Sequence, residues 1–445
     1  MKKHLSLALT ACLLLSSINL AACNNNGNTT QTRDENVLRV ASWDEYIDMG
    51  GEDSYYSADS RPLYEEFEDW YKETYGKTIK VEYIALQDNE TMYSKIRMGD
   101  SYDLLCPSEY MIMKLANEDK LKPFPKNFFD SSIKHNYFAQ NLSPYIKKVF
   151  ENGKLSNGAS WADYAAGYMW GSTGFVFNPE EIDRSIMTSW NCLTNENCAR
   201  KITAKDNVRD SYFMGLGMYY ESELLTLKEK YDKEELSKEE YSAKLAFYMN
   251  DTSEETMGKV KKHLEKMRKN LYGLETDEGK LEVISGRLAA SFQWSGDAVY
   301  ILDEAEENNL SLEYSIPKAA SNLWFDGWVM MKDANEHAAT AFVNFLSMPQ
   351  NVIRNMYYIG YTSCIAGEEV FDYINETYSD EEGETLYDLS YFFGEDHILT
   401  TSVEQTRRQL FAQYPKKDVI DRLVVMEYFD AKTNERANRM WNNIK

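Results

Sequence analysis

The sequence predicts an α/β fold in which strands and helices alternate, so that a mainly parallel sheet carries helices on its faces. A short β-rich run covers 37–42, and apolar residues at helical spacing follow over 63–71. Ile79, Val81 and Tyr83 then alternate with charged residues, as in a half-buried strand. The chain has 445 residues, a length that suits about two to three domains.

Later segments continue this alternation as far as residue 346. In order they are a helix over 90–98, a strand over 102–106, charged helical residues over 220–271, a strand over 288–292, a helix over 297–307, a strand over 328–331 and a helix over 334–346. Gly76 is expected to end the first helix. One helical face is apolar and is expected to pack against its own domain rather than a partner: Met257, Val260, Leu264, Met267 and Leu271.

Composition excludes several function classes. The net charge of −24 opposes a nucleic-acid partner, because phosphate binding needs clustered Lys and Arg. The same charge suits a cationic ligand, although solubility alone would also explain it. The five His residues are scattered, and no Gly-rich phosphate loop or nucleophile elbow occurs. We therefore expect no metal site, no cofactor and no catalysis.

The N-terminus predicts export. Lys2 and Lys3 precede an apolar run over 5–15 that suits a signal peptide spanning 1–22. The tetrapeptide Leu20-Ala21-Ala22-Cys23 resembles a bacterial lipobox, which implies cleavage before Cys23 and lipidation of its thiol. A polar, flexible tether over 23–36 follows. We expect a membrane-anchored lipoprotein in the periplasm or on the outer cell surface; an ordinary secretory signal with a chance Cys is the alternative.

Four cysteines remain beyond Cys23: Cys106, Cys192, Cys198 and Cys364. In an exported protein they could pair, and Cys192 with Cys198 is the plausible combination. Cys106 follows an apolar strand and is expected to be a small buried hydrophobe. The sequence leaves the pairing open.

Several short motifs occur along the chain in a fixed order. They are Ser42-Trp43-Asp44-Glu45-Tyr46, Asn89-Glu90-Thr91-Met92-Tyr93, Tyr102-Asp103-Leu104-Leu105-Cys106-Pro107-Ser108-Glu109-Tyr110, Tyr168-Met169-Trp170-Gly171-Ser172-Thr173-Gly174, Ser189-Trp190, Trp294-Ser295-Gly296, Trp324-Phe325-Asp326 and Ile359-Gly360-Tyr361. Together they resemble the spermidine/putrescine-binding proteins of bacterial ABC transporters over nearly the whole mature chain. The stretch 221–250 has no counterpart, so we expect a helical insertion there.

The resemblance implies the two-lobed periplasmic-binding-protein fold of type II, with a central cleft and a hinge. Lobe one would comprise 37–166 plus 327–370, and lobe two 167–326 plus 371–445. Such lobes close around a ligand by hinge motion.

The resemblance also implies a ligand site. Aromatic positions fall on Trp43, Tyr46, Tyr110, Trp294, Trp324 and Tyr361, and carboxylate positions on Glu45, Asp210 and Asp326. Ser108 matches a small polar contact. This mixture suits a polyamine, since ammonium groups need carboxylates and aromatic faces, and methylenes need apolar walls. Trp324 and Asp326 are two apart, so they face the same side of an extended chain.

Some positions depart from the family pattern. Asn207 stands where the first of two acids is expected, with Asp210 at the second. Glu427 aligns with a usual Gln, and Asp44 replaces a common Thr or Ser. Two further tryptophans, Trp170 and Trp190, are expected in the core. Asp297, at a predicted helix start, is expected to serve that helix as a dipole or capping partner.

The resemblance thus implies a monomeric substrate-binding lipoprotein that delivers a polyamine to a permease and its ATPase. One alternative keeps the fold and changes the ligand to another cation, an amino acid, a sugar or an iron complex. Another is a surface adhesin or hydrolase on the same scaffold. The abundant acidic residues do not exclude a glycosidase, but no suitably spaced pair stands out.

Overall fold

The computed structural model of the protein describes residues 34–276 and 279–445. The predicted signal peptide over 1–22 and the lipidation position Cys23 lie outside the described residues, as does most of the tether. Within the described part of the chain, every helix is too short or too polar to cross a membrane.

Strands occur along most of the described chain. In order they are β1 Val37–Trp43, β2 Lys80–Leu86, β3 Leu104–Leu105, β4 Leu121–Lys122, β5 Ala165–Phe177, β6 Ile202–Lys205, β7 Gly273–Glu275, β8 Ala290–Trp294, β9 Glu313–Ser315, β10 Ser321–Met331, β11 Thr362–Ser363, β12 Thr385–Asp388, β13 Ile398–Thr401 and β14 Leu423–Val424.

The α-helices lie between and around these strands. They are α1 Leu63–Tyr75, α2 Asn89–Met98, α3 Glu109–Asn117, α4 Tyr137–Asn141, α5 Pro144–Asn152, α6 Arg184–Met187, α7 Val208–Asp232, α8 Lys238–Met249, α9 Glu254–Asn270, α10 Gly279–Ile284, α11 Ser295–Glu307, α12 Glu336–Leu346, α13 Pro349–Ile359, α14 Glu368–Tyr378, α15 Ser390–Phe393, α16 Gln409–Gln413, α17 Lys417–Ile420 and α18 Ala431–Asn442.

The main sheet has the strand order β2-β1-β3-β10-β5-β8-β6-β7. Its two flanks are parallel, as the βα alternation predicts: β1 pairs in parallel with β2 and β3, and β6 with β7 and β8. Its middle is antiparallel, because β10 runs against both β3 and β5, and β5 runs against β8. The expected mainly parallel sheet is therefore confirmed for the flanks and wrong for the centre.

The two long strands β5 and β10 join the flanks. The first half of β5 pairs with β10, and its second half pairs with β8 and β9. All thirteen residues of β5 are buried, which a strand covered on both faces requires. One hydrophobic cluster packs around β1–β4 and the early part of β5, and two others pack around β6–β9 and the later part.

Several local predictions can be compared with the structure directly. Gly76 ends α1 in the left-handed conformation, with φ of 67°. Trp170 and Trp190 are fully buried, as expected. The apolar stripe of α9 packs into the same cluster as α7 and α8, which confirms packing within its own domain. Cys192 and Cys198 are free buried thiols, and so are Cys106 and Cys364.

Candidate functional site

The Asp326 carboxylate lies at the centre of the fold, on the crossing strand β10. Asp326 is 6% exposed. The register between β10 and β5 shifts between Asp326 and Gly327. An isolated antiparallel bridge joins Asp326 to Ser108, which immediately precedes α3. The carboxylate therefore lies on a buried strand, next to the carboxyl ends of β1 and β3.

Donors from the first flank converge on this carboxylate. The Tyr46 hydroxyl donates to Oδ2 of Asp326 at 2.6 Å, and the Trp43 indole donates to the same atom at 3.2 Å. Trp43 ends β1, and Tyr46 directly follows the turn formed by Asp44 and Glu45. Ser108 is held in place by Asn89, whose Nδ2 donates to Ser108 Oγ at 3.0 Å. These polar contacts come from the carboxyl ends of parallel strands, where α/β proteins place ligands.

Burial governs the electrostatics of this group. It raises the pKa of Asp326, whereas the hydrogen bonds from Tyr46, Ser108 and Trp43 act in the opposite direction. Burial and the charge of Asp326 raise the pKa of the neighbouring Glu109 to about 8. The site therefore holds two carboxyl groups that become easier to ionise when a cation lies beside them.

Three aromatic rings, those of Tyr46, Tyr361 and Trp324, lie in a row next to Asp326, and we call them the aromatic wall. The Tyr361 ring lies 6.0 Å from that of Tyr46 and 5.3 Å from that of Trp324. A Cβ at Gly296 would overlap the Tyr361 ring, so this position requires a glycine. The Trp324 indole donates to the Ser172 carbonyl at 3.0 Å, which fixes its ring plane.

A second cluster, with three carboxylates and one ammonium, lies at the carboxyl ends of β6, β7 and β8. It comprises Lys205, Glu275 and Trp294 from the strand ends, together with Asp297 of α11 and Asp210 of α7. The Tyr361 hydroxyl donates to Oδ1 of Asp297 at 3.2 Å, which connects this group to the aromatic wall. We call these five residues the Lys205 cluster.

The ammonium of Lys205 is enclosed within this cluster. Lys205 is 1% exposed, and its Nζ donates to the Thr276 carbonyl at 2.8 Å. The same atom lies 3.5 Å from Glu275 Oε1, 3.5 Å from Asp297 Oδ2 and 4.6 Å from the centre of the Trp294 ring. Two carboxylates and an indole face therefore surround one buried cation of the chain itself.

Asp210 lies beside this cation. Burial raises the pKa of Asp210 to about 6, although the charges of Lys205 and Arg209 and a hydrogen bond with Trp294 lower it. Because Lys205 and Arg209 are both close, this carboxylate is already partly compensated within the protein.

Arg209 lies in the first turn of α7, beside Asp210. Its guanidinium is 4.8 Å from the Tyr110 ring and 3.9 Å from the Phe429 ring, and it donates to the Glu427 carbonyl oxygen. The Tyr110 hydroxyl donates to Glu90 Oε1 at 3.2 Å.

Two cavities among the described residues lie near charged side chains. One of about 280 Å³ is lined by Tyr110, Arg209 and Phe429, and one of about 410 Å³ lies elsewhere, around Arg354.

The predicted site residues divide into two sets. The structure brings together Trp43, Tyr46, Ser108, Tyr110, Asp210, Trp294, Trp324, Asp326 and Tyr361 along the path just described. The other four have exposed side chains: Asp44, Glu45, Asn207 and Glu427. The Asn207 oxygen accepts from the Arg209 and Asp210 amides as the N-cap of α7, so it is occupied in holding that helix. Their predicted role in ligand contact stays a prediction.

Four charged residues of the site were absent from the sequence-based set. These are Glu109, Lys205, Arg209 and Glu275. Asp297 was expected to serve its helix; it does lie in the first turn of α11, but its carboxylate also pairs with Lys205 and Lys280. Lys205 ends β6, a strand that the sequence analysis did not predict, so its position at a strand end was not recognised.

Comparison with known proteins places the chain among binding proteins. Residues 63–372 match the family model for bacterial extracellular solute-binding proteins. The spermidine/putrescine-binding periplasmic protein of Salmonella typhimurium is 25% identical over 320 residues, which cover 71% of this chain and 74% of that protein. The putrescine-binding periplasmic protein SpuD of Pseudomonas aeruginosa is 24% identical over 425 residues, covering 93% of both chains.

A solved structure supports the architecture. The substrate-binding protein PotD of Streptococcus pneumoniae superimposes with a TM-score of 0.60 at 24% identity, covering 92% of this chain and 98% of that one. The expected periplasmic-binding-protein fold is confirmed.

Replacing Tyr46 with Phe should destabilise the protein. The change removes the 2.6 Å donor to a buried carboxylate, so we expect the free energy of unfolding at pH 7 to fall by about 1–3 kcal/mol. Urea denaturation measures it. Tyr391→Phe is the matched control, because the buried Tyr391 hydroxyl has no hydrogen-bond partner among the described residues. An equal loss in both variants would contradict the role given to Tyr46.

Proposed function

Because this chain belongs to the family of bacterial extracellular solute-binding proteins, we propose that it captures a polyamine and delivers it to the permease of an ABC importer. The relatives named above bind spermidine or putrescine, and their family resemblance covers most of the chain. Capture and delivery require no catalytic step and no cofactor.

The observation that carries the proposal is the buried Asp326 carboxylate beside Trp43, Tyr46 and an aromatic wall. A polyamine presents ammonium groups separated by methylenes. Because hydrogen bonds already hold the carboxylate in position, it can accept an ammonium without moving. Each aromatic face contributes about 0.5–2 kcal/mol to binding through cation–π contact. Tyr361 and Trp324 offer such faces next to Asp326.

The lobes and the hinge are part of the proposal. We assign 37–166 plus 327–370 to one lobe and 167–326 plus 371–445 to the other, with β5 and β10 as the crossing strands. The hydrophobic clusters support this division for 37–166 and for 175–320, whereas within 371–445 residues such as Phe392 and Tyr414 pack in the first cluster and only Val424 and later residues pack in the second. The stretch 221–250, which covers the second half of α7 and all of α8, is the proposed insertion. The protein acts as a monomer.

Titration calorimetry with putrescine, spermidine and spermine, on protein freed of bound ligand, tests the function. We expect Asp326→Asn to weaken binding by about 2–5 kcal/mol, because an ammonium would lose its buried partner. Asp372→Asn, on the exposed side of α14, is the control and should leave affinity unchanged. Absence of heat with all three amines would refute the proposal, and unchanged affinity in Asp326→Asn would remove that residue from it.

The affinity should also depend on pH. Asp210 and Glu109, with pKa values of about 6 and about 8, lose their protons between about pH 5.5 and about pH 8.5, and a bound cation favours the ionised forms. Affinity should therefore rise with pH by up to about one log unit per pH unit.

The ligand-free protein should behave in the opposite way. Because its folded-state pKa values are raised, its free energy of unfolding should fall as pH increases over the same interval. Calorimetry and urea denaturation at several pH values measure the two trends. Glu109→Gln should flatten the upper part of both curves, and an affinity independent of pH would be inconsistent with these assignments.

We further propose that the signal over 1–22 is removed and that Cys23 is lipidated. The tetrapeptide Leu20-Ala21-Ala22-Cys23 supports this. Wild-type protein expressed in a bacterial host should sediment with membranes and enter the detergent phase, whereas Cys23→Ala should remain in the aqueous phase. Identical partitioning of both forms would rule out the anchor.

A further inference from the structure

We propose that Lys205 determines ligand specificity: its ammonium occupies a subsite that would otherwise hold one charged nitrogen of the ligand, so that the cleft prefers linear diamines to triamines. This inference rests on the proposed function for its ligand class, while the occupancy of the subsite is a property of the protein alone.

The surroundings of Lys205 have the chemistry of an amine-binding site. Its Nζ contacts a backbone carbonyl, the carboxylates of Glu275 and Asp297, and the face of Trp294. A terminal ammonium of a polyamine would require the same set of groups once it leaves water. A Lys side chain ends in four methylenes and an ammonium, so it reproduces one end of such a ligand chemically.

The subsite is also continuous with the Asp326 region. Tyr361 donates to Asp297, and its ring packs beside those of Tyr46 and Trp324. Tyr46 in turn donates to Asp326. A linear amine that extends from Asp326 along this aromatic wall would therefore approach the Lys205 cluster.

Two buried acceptors in this region retain capacity for another donor. Asp297 Oδ2 and Gln293 Oε1 accept no hydrogen bond from the described residues, although Asp297 Oδ2 is near Lys205. Gln293 uses its amide nitrogen to donate to Glu275 at 3.2 Å, so its oxygen remains available. The pocket around Lys205 is thus only partly satisfied by the protein's own groups.

The balance of charge indicates how many ligand nitrogens the cleft can neutralise. Besides Glu109, four buried carboxylates of the described residues lie in this region: Asp210, Glu275, Asp297 and Asp326. Three cations lie among them: Lys205, Arg209 and Lys280. One negative charge is left, or two when Glu109 is ionised. A diamine matches that balance when Glu109 is ionised, whereas the third charge of a triamine would be buried without a partner.

Selectivity in Lys205→Met tests the inference. Methionine retains the apolar bulk and removes the ammonium, so a subsite for one more ligand nitrogen becomes available. By calorimetry, the wild type should bind putrescine more tightly than spermidine, and the variant should shift that ratio toward spermidine by about tenfold or more. Lys244→Ala, an exposed change on α8, should leave the ratio unaltered. Tighter spermidine binding by the wild type, with a ratio unchanged in Lys205→Met, would overturn the inference.

A second measurement is independent of polyamine binding. Lys205→Ala removes the atoms of n-propylammonium, so adding that cation should refill the space and raise the Tm of the variant by at least about 1 °C. The wild type, and the variant with 1-propanol, should show no rise. If no polyamine binds either protein, the proposed function fails, yet rescue by n-propylammonium would still establish the subsite. Absence of rescue in a folded Lys205→Ala variant would refute it, and if that variant does not fold, the Lys205→Met ratio decides.

Discussion

The arrangement of the site depends on one constraint, namely that the Asp326 carboxylate is buried on a strand shared by both flanks of the sheet. A buried carboxylate is costly unless donors surround it. Tyr46, Trp43 and Ser108 supply them from the carboxyl ends of β1 and β3. Because β10 joins the two flanks of the sheet, these contacts lie where the flanks meet.

The Lys205 cluster stabilises its buried carboxylates in a different way. Glu275 and Asp297 lie where parallel strands and a helix N-terminus meet, and the chain compensates them with the ammonium of Lys205. Removing one partner of a buried pair leaves an uncompensated charge, so the remaining partners then favour any cation that fits. Hydrogen-bond donors of the chain therefore stabilise Asp326, while an ammonium of the chain stabilises Glu275 and Asp297.

Much of the fold could be predicted from the sequence, because its signals are local. The βα alternation, Gly76 at the end of α1 and the buried tryptophans follow from spacing and residue type. The antiparallel centre could not be predicted this way, since β5 and β10 are distant in sequence and both are almost continuously buried, which does not indicate their relative direction. For the site, the resemblance to the polyamine-binding family indicated Trp43, Trp324 and Tyr361, but it assigned no role to charged residues such as Lys205 and Glu109, which by residue type resemble ordinary surface residues. Only the convergence of strand ends shows that they are buried.

The net charge of −24 and the charges buried in the site act on a cation at different distances. A strongly acidic surface attracts every cation and accelerates encounter, with an effect that salt screens within about 8–10 Å. It does not distinguish a diamine from a triamine, because both are attracted. Discrimination requires groups that water does not screen, and these are the buried carboxylates and the built-in ammonium. Affinity for cations as a class and selectivity among them consequently arise from separate parts of the sequence, and a substitution at the surface can alter the first without altering the second.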